Sequence, residues 1–182
     1  SFKKVLDEKS RSDSTTLFEA STGIGDCYAA SGEFSNALAS YEKAMPVAPA
    51  PAAVHQTLWK IATVGAKGKN FARSNDAAHR LIKSRSQDAF RKKALVRLAL
   101  NAEMQKDYAQ AVQHYTAFLD QHPADPSADE VAFRMATLTE KELRDSRKAA
   151  ASYEQFITRY SRSRYIDDAY VGAGRCCDQL KE

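Results

Sequence analysis

The 182-residue chain is poor in the residues that punctuate a β-rich or irregular fold, with only seven glycines and five prolines. That is about half the usual share, and it argues against a many-stranded sandwich, a collagen-like rod or a disordered linker. Cysteine is also sparse, and three thiols, an odd set, exclude a disulfide-framework mini-protein. No apolar run approaches the ~18 residues that a membrane-spanning helix needs. Catalytic signatures are missing too: there is no glycine-rich phosphate loop, no G-x-S-x-G and no carboxylate pair framed by a base. His55, His79, His114 and His122 have no metal-ligand spacing. Cys176 and Cys177 are adjacent, so on a helix they point ~100° apart and rarely share a ligand. Neither catalysis, nor a metal, nor a cofactor is expected from these residues.

What is present is an ordinary globular mixture, 43% hydrophobic and 27% charged. The net charge of +4 is unevenly spread. Residues 60–97 hold eleven Lys and Arg against Asp76 and Asp88 alone, which leaves the remainder of the chain acidic. A basic middle between acidic ends suits an anionic partner, although most surface cations are simply solvated.

Helical spacing dominates. Leu17, Ala20, Ile24, Cys27 and Tyr28 form an apolar stripe over a helix from about Ser14 to Ala30, closed by Gly32. A second helix runs from Phe34 to Met45 with Ala37, Leu38, Tyr41 and Ala44 on one side, and Pro46, Pro49 and Pro51 end it. Two helices on a short turn make an αα-hairpin, which needs neighbours to bury its stripe. Ala37-x3-Tyr41 recurs as Ala111-x3-Tyr115 and Ala149-x3-Tyr153, with Phe2 also falling into register. The small side chain lets two helices cross closely and the ring fills the gap to the next hairpin. A degenerate copy lies between them. There Val54, Leu58, Trp59, Ile61 and Ala62 mark the first helix, Ala77-x3-Leu81 replaces the signature, and Trp59 reads as a core filler. Cys27 reads as a small apolar filler on the inner stripe.

These copies resemble tetratricopeptide repeats, whose pattern is W-x2-L-G-x2-Y, then A-x3-F, then P. Ile24-Gly25-x2-Tyr28 stands for L-G-x2-Y, Ala37-x3-Tyr41 for A-x3-F, and Pro49 for the closing proline, with Ser21 in the tryptophan place. The links after each second helix are longer than the family's. Segments such as Tyr115-x2-Phe118-Leu119-x2-His122-Pro123 are similar to bacterial cell-envelope members of the family. The resemblance implies an all-α superhelix of about four hairpins plus a terminal helix. Its divisions would be a half repeat at 1–13, repeats at 14–51, 52–88 (degenerate), 89–126 and 127–164, and the first helix of a further repeat at 165–182. The phase of both ends predicts a segment of a longer array.

The function that the resemblance implies is protein–protein interaction, without catalysis, on the face lined by first helices. Glu19, Thr22, Asp26, Lys60, Lys67, Lys93, Arg97 and Arg134 are the candidate groove residues. Lys60 with Lys67, and Lys93 with Arg97, share helical faces and could form a basic stripe for an acidic peptide. Family members that bind chaperone C-termini use Lys and Asn side chains; here Lys93 and Arg97 match the basic half alone. Two alternatives stand beside this one. The first is a nucleic-acid or other polyanion surface around Phe90-Arg91-Lys92-Lys93. The second is a purely structural module that docks on itself. The compartment implied is the bacterial periplasm or cell envelope, with the cytoplasm as alternative.

Overall fold

The computed structural model describes residues 2–84 and 88–181, with side chains from Asp13 onward. Among the described residues the chain is all-α: α1 (Phe2–Ala30), α2 (Phe34–Ala44), α3 (Pro51–Lys67), α4 (Phe71–Lys83), α5 (Asp88–Met104), α6 (Tyr108–Gln121), α7 (Ala128–Lys141), α8 (Ser146–Arg159) and α9 (Ile166–Gln179). A 3-10 turn, Met45–Val47, follows α2, and none of the described helices is long and apolar enough to cross a membrane. The chain packs as two compact units, Ser1–Arg97 and Leu98–Glu182.

Each hairpin turns in the same way. A residue with positive φ stands at Gly32 (81°), Lys69 (56°), Lys106 (62°) and Arg144 (52°), so the turns recur at steps of 37, 37 and 38 residues. The next residue caps the second helix in three of the four. The side chains of Asn70, Asp107 and Asp145 accept from the backbone N–H of Arg73, Gln110 and Lys148 at 3.2, 3.1 and 3.0 Å. Only Gly32 announces its turn by residue type; the other three positions are occupied by side chains for which the left-handed region is costly.

Counting from these turns fixes the register. Ala37, Ala111 and Ala149 are each five residues beyond the turn residue, and Tyr41, Tyr115 and Tyr153 are nine beyond it. The three alanines are wholly buried and the three rings are 1% exposed. The same count in the degenerate copy lands on Ser74 and Ala78, not on Ala77 and Leu81. Ser74 and Ala78 are both fully buried, and the Ser74 hydroxyl donates to the carbonyl of Ala62 at 2.6 Å. Small groups on both sides let α3 and α4 close up. A Cβ on Gly65 would lie 3.0 Å from the backbone N of Ser74.

In the first unit, Leu38, Tyr41 and Ala44 of α2 and Leu58, Ile61 and Ala62 of α3 form the core with Ala77 and Leu81 of α4. In the second, Tyr115, Phe118, Tyr153 and Phe156 carry the bulk, with Val131, Ala169 and Cys176.

Several expectations need correction. Residues 2–30 form one unbroken helix, so no turn separates a half repeat at 1–13 from the rest of α1. The stripe Leu17–Ala20–Ile24–Cys27 does not face the core: Leu17 is 44% and Ile24 52% exposed, and Ala20 and Cys27 are exposed as well. The buried side of α1 is Ser21 and Gly25, because the Tyr41 ring lies so close that a Cβ on Gly25 would sit 2.5 Å from it. Trp59 is half-buried at the surface and not a core filler.

Candidate partner-binding surface

Three of the candidate groove residues are engaged within the protein. The Tyr41 hydroxyl on α2 donates to Asp26 on α1 at 2.7 Å, and Lys60 on α3 reaches the same carboxylate at 2.6 and 2.8 Å. The second unit repeats the arrangement twice. Tyr115 on α6 donates to Glu103 on α5, and Arg134 on α7 closes on Glu103 with two hydrogen bonds of 2.8 Å. Tyr153 on α8 donates to Glu140 on α7 at 2.7 Å, and Arg175 on α9 binds Glu140 at 2.7 and 3.0 Å. Each clasp joins the ring of a second helix, the acid of its own first helix and the cation of the following first helix. Arginine makes the two-pronged version, as its planar fork favours.

The electrostatics follow from this geometry. Burial raises the carboxyl pKa of Asp26 and Glu103, but the hydrogen bonds from Lys60 and Tyr41, and from Arg134 and Tyr115, outweigh it and hold both below their ordinary values. Glu140 is held down chiefly by Arg175, against its own burial. Tyr41, Tyr115 and Tyr153 are pushed well above the usual phenol value, first by burial and then by the adjacent carboxylate; for Tyr153 the bond to Thr137 pulls the other way. The phenols therefore stay neutral donors.

The cations occupy one place in the repeat. Lys60 and Arg97 each stand nine residues before the turn residue. Arg134 stands ten before, where the turn is a residue longer: Asp145 N bonds the carbonyl six residues back, whereas Asn70 N and Asp107 N bond five back. Arg97 is thus the cation that would close a clasp on the repeat of α3 and α4. That repeat has Ala66 at the place of Glu103, Thr63 at the place of Asp26 and Ala78 at the place of the ring. Among the described residues no carboxylate pairs with Arg97. Its Nε is buried without a hydrogen-bond partner among the described residues, as is Thr63 Oγ1. Burial pushes its guanidinium pKa down. The Arg97 guanidinium and the Lys93 ammonium lie over Trp59, 5.8 and 5.7 Å from the ring centroid.

The remaining candidates are peripheral to this cluster. Glu19 and Lys67 are exposed, and the Thr22 hydroxyl is turned back onto the carbonyl of Phe18 at 2.9 Å. The second unit also holds a cavity of about 350 Å³ floored by Phe133, Leu138 and Tyr165, with the Glu103–Arg134 pair on its wall. Phe133 and Tyr165 stack at 4.8 Å. Sequence reasoning alone does not pair the clasp acids with the ring hydroxyls. Their only signal is a carboxylate 12, 13 or 15 residues before each tyrosine, a spacing too loose to read without the turns.

No curated protein matches the sequence. Among solved structures, the crystal structure of MamA protein is similar, with a TM-score of 0.57 over 91% of this chain and 87% of that one, at 20% sequence identity. At that identity the likeness speaks for the fold alone, an arrangement of successive helices. The tetratricopeptide repeat family profile matches residues 93–125 and 130–163, the stretches that contain the acid–tyrosine pairs Glu103–Tyr115 and Glu140–Tyr153. Residues 93–125 and 130–163 thus carry two adjacent tetratricopeptide repeats, with helical hairpins before them and the single helix α9 after them among the described residues.

Proposed function

We propose that the chain is a protein-interaction scaffold, acting by binding and with no catalysis of its own, and that Trp59, Lys93 and Arg97 take an acidic segment of the partner. The observation that carries this reading is the unmatched Arg97. Equivalent cations spend their charge on an internal carboxylate, whereas among the described residues Arg97 and Lys93 meet the Trp59 face and no carboxylate. A half-buried cation without a counter-ion is a standing cost to the fold, and an incoming carboxylate relieves it. The indole gives the partner an apolar surface beside the charge. The tetratricopeptide repeats support a protein rather than a small molecule as partner. For the compartment, the reading that the sequence resemblance favours is the bacterial cell envelope.

Trp59 is the single tryptophan of the chain, so its emission reports on this site directly. Titration with a glutamate-rich peptide should shift Trp59 emission with a saturable dependence. Arg97→Ala should weaken binding about 10- to 100-fold, the worth of a charge-assisted hydrogen bond. Arg134→Ala, in the other unit and committed to Glu103, should leave the affinity unchanged. No change in Trp59 emission with the peptide, or equal affinity for wild type and Arg97→Ala, would sink the reading. If instead mixed RNA binds at low salt and the peptide does not, the surface belongs to the polyanion class.

A further inference from the structure

The Trp59 surface holds more positive charge than one carboxylate takes up. Each intact clasp pairs a single cation with its acid: Lys60 with Asp26, Arg134 with Glu103 and Arg175 with Glu140. On α5 the place of Lys60 and Arg134 is held by Arg97, and Lys93 stands one turn before it. Four residues before Lys60 is Gln56, and four before Arg134 is Glu130, which pairs with Arg164 at 3.6 Å. Of α3, α5 and α7, only α5 thus has two cations at these places, and it is the helix that follows a repeat without a clasp acid. Helix α3 is packed on both sides, by α2 and by α4, so its Trp59 face belongs to a complete repeat within the chain.

No acid answers these cations. Helix α3 contains neither Asp nor Glu. From Pro51 to Arg97 the acids are Asp76 and Asp88 alone, and each pairs along its own helix, with Arg80 at 3.8 Å and Lys92 at 3.9 Å. Lys67 and Arg91, both exposed, add to the positive field. The open donors gather at one ring. The Lys93 ammonium and the Arg97 guanidinium lie 5.7 and 5.8 Å from the Trp59 centroid. Arg97 Nε is buried, so the side chain is presented through its two Nη groups, which donate to nothing among the described residues and keep access to solvent. The Trp59 indole N–H likewise has no acceptor among the described residues and is not enclosed.

A carboxylate brings one charge and two oxygens. A phosphoryl group on a side chain brings a charge of about −1.5 to −2 at neutral pH and three strongly accepting oxygens. Two of those oxygens suit the paired Nη groups of an arginine, which leaves the third for the ammonium of Lys93. The site therefore matches a phosphoryl group in charge and in number of oxygens, with the indole N–H as a further donor.

We propose that the anion taken by Trp59, Lys93 and Arg97 is a phosphoryl group, carried by a phosphorylated segment of the partner protein. The proposal rests on the reading of this surface as the one that takes an acidic segment, and it adds a switch: the partner binds well only after it has been phosphorylated.

The test uses three labelled versions of the glutamate-rich peptide that differ at one central position, which is phosphoserine, glutamate or serine. Fluorescence anisotropy with the whole chain should show the phosphoserine version binding about 10-fold tighter than the glutamate version, as one further charge-assisted hydrogen bond implies, with the serine version weakest. Lys93→Gln should remove most of that 10-fold advantage, and Lys93 is exposed, so helicity should be unchanged. Arg97→Ala should weaken the phosphoserine and glutamate versions alike. Equal binding of these two versions would overturn the phosphoryl proposal and leave the acidic-segment reading standing, whereas no binding of either would overturn both. A phosphoserine advantage that survives Lys93→Gln would place the phosphoryl group elsewhere and overturn the proposal. Inorganic phosphate that displaces the phosphoserine peptide at the peptide's own concentration would assign the site to the free anion. Mixed RNA that binds more tightly than the phosphoserine peptide would assign it to a polyanion, and either result would overturn the proposal likewise.

Discussion

The hydroxyl of Tyr153 donates to Oε2 of Glu140 at 2.7 Å, and both groups are buried, with relative exposures of 1% and 8%. A ring that fills a gap between helices thus also delivers a polar tip to the one carboxylate that needs it. Tyr153→Phe keeps the packing and removes the donor, and should cost about 1 kcal/mol in a urea melt. Glu140→Ala leaves that hydroxyl buried without its acceptor and frees Arg175, for a loss of about 2 kcal/mol. Arg175→Ala should cost more than Tyr153→Phe, about 2 kcal/mol or more, because it strips the buried Glu140 carboxylate of two charge-assisted hydrogen bonds. If Tyr153→Phe were as costly as Arg175→Ala, the cation would not be the principal partner of the carboxylate in the clasp.

The clasps also set a pH window. Asp26, Glu103 and Glu140 have folded pKa values below their ordinary 3.8, 4.5 and 4.5. Groups depressed in the folded state contribute stability that is full above those ordinary values and is lost as pH falls through the folded ones. The tyrosines are shifted upward from 10.0, so their contribution is full below that value and is lost as pH rises beyond it. Urea midpoints should hold level from about pH 5 to about pH 9 and fall on both sides. Glu140→Gln should flatten part of the acid limb and leave the alkaline limb in place. An acid limb identical in wild type and in Glu140→Gln would show that the carboxylate titrates without a stabilising partner.

Two kinds of glycine should respond oppositely to alanine. A Cβ on Gly172 would lie 2.5 Å from the Tyr153 ring, which Glu140 and the surrounding core hold in place. Gly172→Ala should therefore destabilise by about 1–3 kcal/mol through overpacking. Gly174, two residues on, meets nothing within 4 Å, and Gly174→Ala should stabilise by up to about 1 kcal/mol through helix propensity. Thermal melts of the two variants moving in the same direction would refute this account of the close approach.

The left-handed turn residues give a further set. Lys69, Lys106 and Arg144 place a Cβ where it crowds the following carbonyl, at about 1 kcal/mol each. Glycine at any of the three relieves this but adds about half that amount of unfolded-chain entropy. Each substitution should then stabilise by about 0.5 kcal/mol, and the three effects should add, since these side chains share no partner among the described residues. Gly32→Ala should move the other way by about 1 kcal/mol. A triple glycine variant no more stable than wild type would show the turns to be unstrained.

These turns explain how far the sequence can be read. The Ala-x3-Tyr pairs at 37, 111 and 149 are legible because a small residue and a ring at one helical spacing have few other uses. The turns at 69, 106 and 144 are not, since Lys and Arg give no sign of a positive φ. Without them the degenerate copy slips by three residues, from Ser74–Ala78 to Ala77–Leu81, because all four positions are apolar or small and lie along one face of α4. The groove is obscured for a related reason. Asp26, Lys60 and Arg134 look like free charges on first helices, and nothing in their spacing reveals that ring hydroxyls from second helices meet the acids. The stripe on α1 has the periodicity of a core face, and periodicity alone does not say whether a neighbour is there to cover it.

Arg97 should behave as a residue kept for binding at some cost to the fold. Its Nε is buried without a partner among the described residues, and burial lowers the pKa of the group. Removing one member of a satisfied ion pair destabilises, but Arg97 has no carboxylate to abandon among the described residues. Arg97→Met retains most of the side-chain volume over Trp59 and discards the unmatched charge, so the melting temperature should stay level or rise. The equivalent change at Arg134, which would strip Glu103 of two hydrogen bonds of 2.8 Å, should lower it. The same Arg97→Met protein should lose the glutamate-rich peptide by about 10-fold or more. Stability and binding would then move in opposite directions at one position, as expected where a charge serves a partner and not the fold. A drop in melting temperature for Arg97→Met as large as that for Arg134→Met would mean that Arg97 is an ordinary structural cation.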